Sequence, residues 1–346
     1  MTAAPCPTPD ERVARFDEYR ATLDDLDRVR LDVLVDEVCN AFRGPSRHFS
    51  PRMAKELLMA LLEFTAAREV RWRMGEKTGI SWCDHTWNPW IGCTKVSAGC
   101  DLCYAESQNK RYNWNPAGWG KGAPRKMTSS ANWKKPLAWA KAAIQDGVLR
   151  RVFGGSLCDP FDDEVPTHWR DTYFNLIDDV GEYCRHFRAV PGSGLEFMLL
   201  TKRIKGAWKK LPGEWVEYLP DYVRIGVTAE DQPNANRRIS ELFRTWRGKN
   251  FVSVEPMLGR LDLTPFLYEG GNLYGVKIDW VVCGGESGAG CRPLDVDAAI
   301  DLRRQCLDAG VPFHFKQLGG FPDKRHDPEQ WPAALRVQEF PNDFQS

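Results

Sequence analysis

The sequence predicts an α/β protein, a full or partial (β/α) barrel with an N-terminal helical appendage. Three observations lead there. Short apolar runs alternate with amphipathic stretches at roughly 30-residue spacing, the rhythm of parallel strands joined by crossover helices. Run after run ends in polar, ligand-capable side chains, as strands do where a barrel opens. The first 75 residues differ in texture and show helical periodicity alone.

In that first segment Thr8-Pro9-Asp10-Glu11 reads as a capping box with proline at the first helical position. Val13, Phe16, Tyr19, Leu23 and Leu26 then share one helix face. Ser50-Pro51 starts another helix, with Met53, Leu57, Leu58, Leu61 and Leu62 on its apolar side. Residues 1–75 are expected to be a helical extension, suited to binding a protein partner, capping the barrel or dimerising. Strands are expected near 80–82 and at 151–157, 196–201, 223–228, 251–255, 280–284 and 312–316. Helices are expected at 169–187, 235–246 and 298–309. The barrel domain would span 78–320, with a basic, Trp-rich insertion at 105–141 and a tail at 321–346. A doubly wound open sheet competes, because strand order cannot be read from this pattern.

The 346 residues are 42% hydrophobic and 27% charged, with a formal net charge of zero. A chain of about 300 residues hides roughly three quarters of its unfolded surface. A full core is therefore expected, and a disordered chain, a collagen-like repeat and a small disulfide scaffold are excluded. The longest apolar runs, such as 198–200 and 280–283, fall far short of the roughly 20 residues of a membrane helix. The opening residues lack the apolar stretch of a secretory signal. The cytoplasm is the expected location, with no membrane association. Eleven cysteines in a reducing compartment argue against a disulfide framework and for a metal or redox role where they cluster.

The strand ends carry Cys158-Asp159, Thr201-Lys202-Arg203, Thr228-Ala229-Glu230, Glu255-Pro256, Gly284-Gly285-Glu286-Ser287 and Lys316-Gln317. Six such endings on one rim are hard to explain as solubility and read as a functional face. The sharpest local signal is C-x6-C-x2-C: Cys93, Cys100 and Cys103, in a loop closed by Gly99. Thiolates are soft ligands for zinc or iron–sulfur clusters. Three of them without an obvious fourth suggest an open coordination position. The alternatives are a structural zinc completed by Cys83 or His85, a reactive thiol pair at Cys100 and Cys103, and chance clustering. Cys6, Cys39, Cys184 and Cys306 fall in helical patterns and read as small core residues. Cys158, Cys283 and Cys291 lie near the rim. His85, His168 and His314 show no metal-ligand spacing, which argues against a metal-dependent hydrolase.

Between Ala105 and Lys141 lie eight basic residues and one acid, Glu106. Lys110, Arg111, Lys121, Arg125 and Lys126 are interleaved with Trp114 and Trp119; Lys134, Lys135, Trp133, Trp139 and Lys141 follow. Cations meet phosphates and aromatic faces stack on exposed bases. The bland alternative is that the tryptophans pack a long loop while the lysines face solvent. Nucleic acid, a nucleotide or a partner protein would suit the segment. If nucleic acid is the substrate, modification or repair of an unpaired base is the natural reaction class.

Motifs run in order along the chain: Thr86-Trp87-Asn88-Pro89, Gly92-Cys93-Thr94-Lys95-Val96-Ser97 and Cys103-Tyr104-Ala105-Glu106; then Ser156-Leu157-Cys158-Asp159-Pro160-Phe161, Leu200-Thr201-Lys202-Arg203, Gly226-Val227-Thr228-Ala229-Glu230-Asp231, Ser253-Val254-Glu255-Pro256, Cys283-Gly284-Gly285-Glu286-Ser287 and Phe315-Lys316-Gln317-Leu318. Over about residues 78–320 the set resembles a phage and bacterial family of three-cysteine-motif proteins of largely unknown function, regarded as radical-SAM-like. The resemblance implies a barrel of radical SAM type with a 4Fe-4S cluster on Cys93, Cys100 and Cys103. It implies S-adenosylmethionine (SAM) chelated to the fourth iron and cleaved on reduction to a 5′-deoxyadenosyl radical, with a flavodoxin- or ferredoxin-like electron donor. It implies that Lys202 or Arg203 pairs the methionine carboxylate and that Asp159, Glu230 or Glu255 accepts from the amine or ribose. Gly284 and Gly285 would allow close backbone approach, and Ser156, Thr201, Thr228 and Glu286 would complete the cofactor surface. Radical SAM enzymes typically use C-x3-C-x2-C with an aromatic before the last cysteine. Here the first gap is six residues, and Leu102 holds the aromatic position. No catalytic residue is assigned. The competing reading is a non-catalytic, zinc-stabilised protein that binds nucleic acid or protein.

Overall fold

In the computed structural model, residues 78–217 and 220–341 are described. The helices expected over 1–75, with Cys6 and Cys39, and the last residues of the expected tail lie outside them. The strands are β1 (His85–Thr86), β2 (Trp90–Ile91), β3 (Lys126–Met127), β4 (Leu149–Phe153), β5 (Gly194–Thr201), β6 (Val223–Thr228), β7 (Asn250–Val254), β8 (Val281–Cys283) and β9 (Phe313–Phe315). Seven of them form one sheet in the order β1-β4-β5-β6-β7-β8-β9, parallel throughout. Each strand lies beside its predecessor in that sheet, so the order never reverses as a doubly wound sheet requires. The sheet curls into a half-barrel. β2 and β3 form a separate antiparallel ribbon.

The helices are α1 (Tyr104–Tyr112), α2 (Ser130–Trp133), α3 (Lys135–Gln145), α4 (Thr167–Phe187), α5 (Gly213–Glu217), α6 (Gln232–Thr245), α7 (Thr264–Leu267) and α8 (Val296–Asp308). Asp231 and Asp295 start α6 and α8 by accepting from the backbone N–H of Asn234 and Ala298. No helix among the described residues is long and apolar enough to cross a membrane.

Alternation along the strands separates two apolar layers. Val152, Leu195, Phe197, Leu199, Val223, Ile225, Val252 and Phe313 join the helix-facing core. Phe153, Met198, Phe251 and Val282 face the other way and pack with Trp82 and Trp280. Burial on both faces is why these strands read as nearly continuous apolar runs. Gly226 belongs to the inner layer: a Cβ there would lie 2.2 Å from the Phe251 ring.

The segment 80–82, expected as a strand, is not one; the first strand of the sheet begins at His85. Trp82 instead enters the hollow of the half-barrel, 4.7 Å from Phe153 and 5.9 Å from Phe251 between ring centroids. Ser81 Oγ hydrogen-bonds His314 Nε2 at 2.9 Å, tying the chain before β1 to β9 at the opposite edge. Deeper in the hollow Glu196 is fully buried. Burial alone would raise its carboxyl, but Arg224, Lys249 and Arg151 outweigh that and hold it below the usual range. Removing one member of such a buried ion group costs about 3–5 kcal/mol, so this end of the half-barrel is a fixed base.

Burial, with help from Lys316 and Arg151, lowers the His314 pKa from 6.5 to about 4. As pH falls the unfolded chain therefore takes up this proton first. Stability tied to neutral His314 is complete above pH 6.5 and is lost as pH falls through about 4. The urea midpoint is expected to drop between about pH 7 and pH 4.5. His314→Gln should flatten part of that drop, and an unchanged pH slope in the variant contradicts the assignment.

Candidate metal centre

The C-terminal strand ends open onto a cleft continuous with solvent. Cys93, Cys100 and Cys103 all line it, together with Cys158. Ser156, Asp159, Thr201, Lys202, Arg203, Thr228, Glu255, Gly285 and Glu286 line it as well. Of the rim residues expected to meet a cofactor, Gly284 and Glu230 are not part of that wall.

The cysteine loop has little regular structure of its own beyond a 3-10 turn at Ala98–Cys100. Arginines from strand ends, a helix and the insertion hold it. Arg203 donates to the Thr94 carbonyl and faces Cys93 Sγ at 3.5 Å. Arg125 donates to Thr94 Oγ1 at 2.6 Å. Arg238 reaches Ser97 Oγ at 2.9 Å, and Arg292 reaches the Ala98 carbonyl at 2.9 Å. Each guanidinium is set by a carboxylate: Arg203 by Asp159, Arg125 by Asp162, Arg238 by Glu230 and Arg292 by Glu286. Gly99 settles against Glu230, whose Cδ would lie 3.1 Å from a Cβ at that position. Cys103 sits at the N-cap of α1.

These partners change what several rim residues do. Asp159 accepts from Thr201 Oγ1 at 2.8 Å, Phe161 N at 2.9 Å, Lys202 N at 3.3 Å and Arg203 at 3.0 Å. Its oxygens are spent on building the strand end. Glu230 is fully buried on Arg238, and Glu286 is occupied by Arg292. All three are thus paired with arginines that reach the loop, and Asp159 and Glu286 also line the cleft. Gly285 is required by its neighbour, since a Cβ would lie 2.1 Å from the Leu318 carbonyl oxygen. Lys202 and Glu255 keep capacity to spare. Lys202 Nζ donates to Thr228 Oγ1 at 3.2 Å, and Glu255 pairs with Lys316.

Burial pushes the Cys93 thiol up to about 12, with Asp159 adding to the rise and Arg203 opposing it. Burial also raises Cys103, against the N–H groups of Glu106 and Ala105. Metal binding here would displace thiol protons. Among the described residues no three His, Cys, Asp or Glu side chains are gathered for one metal ion. A single tetrahedral zinc at about 2.3 Å from each sulfur needs sulfurs only about 3.8 Å apart. The proposed fourth zinc ligands are also misplaced. Cys83 packs with Trp82 and Phe153, and His85 stacks on Trp139 at 4.3 Å; neither lines the cleft.

The insertion divides. Trp139 is buried, and Trp133 packs edge-on against Trp87, so both tryptophans serve the core. Arg125, expected to meet phosphate, is instead buried against Asp162 at 2.8 Å. Lys110, Arg111, Lys121 and Lys126 are exposed. Trp119 lines the cysteine cleft, and Trp114 lines a second hollow. Sequence reasoning missed Arg238 and Arg292, because a strand-end carboxylate gives no sign of which arginine will meet it.

Arg292 is partly exposed, so its loss should loosen the loop without unfolding the sheet. In Arg292→Gln, hydrogen exchange at Cys100 and Asp101, whose N–H groups close the turn onto Ser97 and Ala98, is expected to speed up about tenfold, the equivalent of 1.4 kcal/mol. Exchange in β5–β8 should not change. Unaltered exchange at both amides contradicts the clamp.

Residues 77–339 match a family described as "Protein of unknown function (DUF5131)". No curated protein and no solved structure matches the chain. With most of its length inside the family match, the chain belongs to the DUF5131 family.

Proposed function

We propose that the chain is a radical SAM-type enzyme that holds a 4Fe-4S cluster on Cys93, Cys100 and Cys103 and acts on a nucleic acid base or a nucleotide. The observation that carries this reading is one loop, fixed by four ion-paired arginines, whose three cysteines all line a single cleft. When bound, the cluster supplies an electron, and SAM supplies the group that removes a hydrogen atom from the substrate.

The chain's own residues bind and orient. Lys202 has donors left for the carboxylate of an amino acid ligand. Glu255 is placed to accept from an ammonium or a ribose hydroxyl. Tyr104 donates its hydroxyl to the Ser156 carbonyl at 2.7 Å, which sets its ring in the cleft wall. Trp82, Leu200 and Phe153 give the cleft an apolar stretch of wall. Arg203 beside Cys93 offsets negative charge on a ligated sulfur. The exposed cations and rings of the insertion support nucleic acid or nucleotide as the substrate class.

Anaerobic reconstitution with iron and sulfide is expected to load about four irons per chain, with little zinc. Cys100→Ala should lose the iron while its circular dichroism stays native. Lys202→Ala should keep the iron and weaken SAM binding about 10- to 100-fold, the scale of a hydrogen bond to a charged group. One tightly held zinc with no iron uptake overturns the reading in favour of a zinc-stabilised binding protein.

A further inference from the structure

We propose that a second hollow beside the cysteine cleft seats one unpaired base of a single-stranded nucleic acid. The inference rests on the reading above only for the substrate class; the site itself needs no cluster. The hollow is lined by Asn88, Asn113, Trp114, Lys126, Met127 and Asn132, and Leu157 lines both it and the cysteine cleft. The two hollows thus share Leu157.

Its chemistry matches a base and its neighbours. Trp114 stacks on Tyr112 with ring centroids 5.1 Å apart and an interplanar angle of 21°. Tyr112 is 53% exposed, so the stack continues out of the hollow to the surface. The Arg111 guanidinium lies 5.3 Å from the Tyr112 ring. Lys126, whose Nζ donates to the Trp114 carbonyl, has further donors for a phosphate. Glu106 is the single acid of the insertion, and it is already paired with Lys95 and Lys110. The amides supply edges. Asn132 donates through Nδ2 to the Asn88 carbonyl and Thr128 Oγ1, which leaves its Oδ1 to accept. Asn113 is held left-handed at φ 49°, and its amide makes no hydrogen bond among the described residues. A carboxamide offers a donor and an acceptor side by side, the pattern that pairs with a base edge. Stacking on Trp114 needs the face of a base, which a duplex keeps covered by its neighbours, so the base offered to this hollow must be unpaired and unstacked.

The test is fluorescence anisotropy of the full-length protein with labelled 12-nucleotide single-stranded DNA and RNA of mixed sequence. Binding is expected to weaken with salt at a log–log slope of about −1.4, for two neutralised phosphates. Trp114→Ala should weaken binding about 5- to 160-fold, the scale of one stacked base. Should that variant fold poorly, Asn113→Ala at its exposed position should weaken binding about 2- to 12-fold, the scale of one neutral hydrogen bond. Binding unaffected by either change overturns the site. Equal competition by a duplex or a mononucleotide overturns the single-strand assignment, and equal competition by polyglutamate reduces it to a charged surface. Iron is measured on the same samples. Oligonucleotide binding without iron uptake sinks the cluster reading alone, and iron uptake without oligonucleotide binding sinks this site alone.

Discussion

The cysteine loop depends on guanidinium groups that come from elsewhere in the fold. A loop of this kind cannot satisfy its own carbonyls and hydroxyls, and unpaired polar groups near the interior are costly. Arg203 follows β5, Arg238 lies on α6, Arg292 follows β8 and Arg125 precedes β3. Each meets the loop between Thr94 and Ala98. The path of the loop is therefore set by groups from two strand ends, a helix and the insertion. The arginines thus fix the loop's path from Thr94 to Ala98.

Charge is used differently at the two ends of the half-barrel. Around Glu196, one carboxylate serves Arg151, Arg224 and Lys249 in the closed interior. At the rim, arginines and carboxylates form short networks, Arg203 with Asp159 and Asp162, Arg125 with Asp162 and Glu164, Arg238 with Glu230, and Arg292 with Glu286 and Asp101, and each arginine also reaches the loop. Lys202 and the Glu255–Lys316 pair are the rim charges left facing the cleft with capacity to spare. A zwitterionic ligand needs one group of each sign there. The chain is neutral overall, so attraction to a polyanion has to come from a local patch, and the insertion supplies one on the side where the second hollow lies.

Much of the scaffold was legible in the sequence because parallel strands buried on both faces leave short apolar runs. The run at 223–228 is β6 without adjustment, and the others shift by a few residues at their ends. Ile80 and Trp82 misled for the same reason: an apolar pair looks alike whether it lies in a strand or fills a hollow. The cysteines and the rim were legible as a set of residues, but their division of labour was not. Asp159, Glu230 and Glu286 look like ligand acids at strand ends, and only the fold shows each one facing an arginine. Arg125 sits in a basic run like its neighbours, yet Asp162, far along the chain, draws it inside. Trp133 and Trp139 resemble Trp114 in sequence, and packing alone distinguishes core from surface.

The most direct test of the central claim is the EPR spectrum of the anaerobically reconstituted, reduced protein recorded with and without SAM. A 4Fe-4S signal that changes on adding SAM, and that disappears in Cys100→Ala, is the predicted result. It would mean that the three cysteines leave one iron open to the cofactor. A cluster signal indifferent to SAM, or no cluster signal beside one bound zinc, would contradict the account.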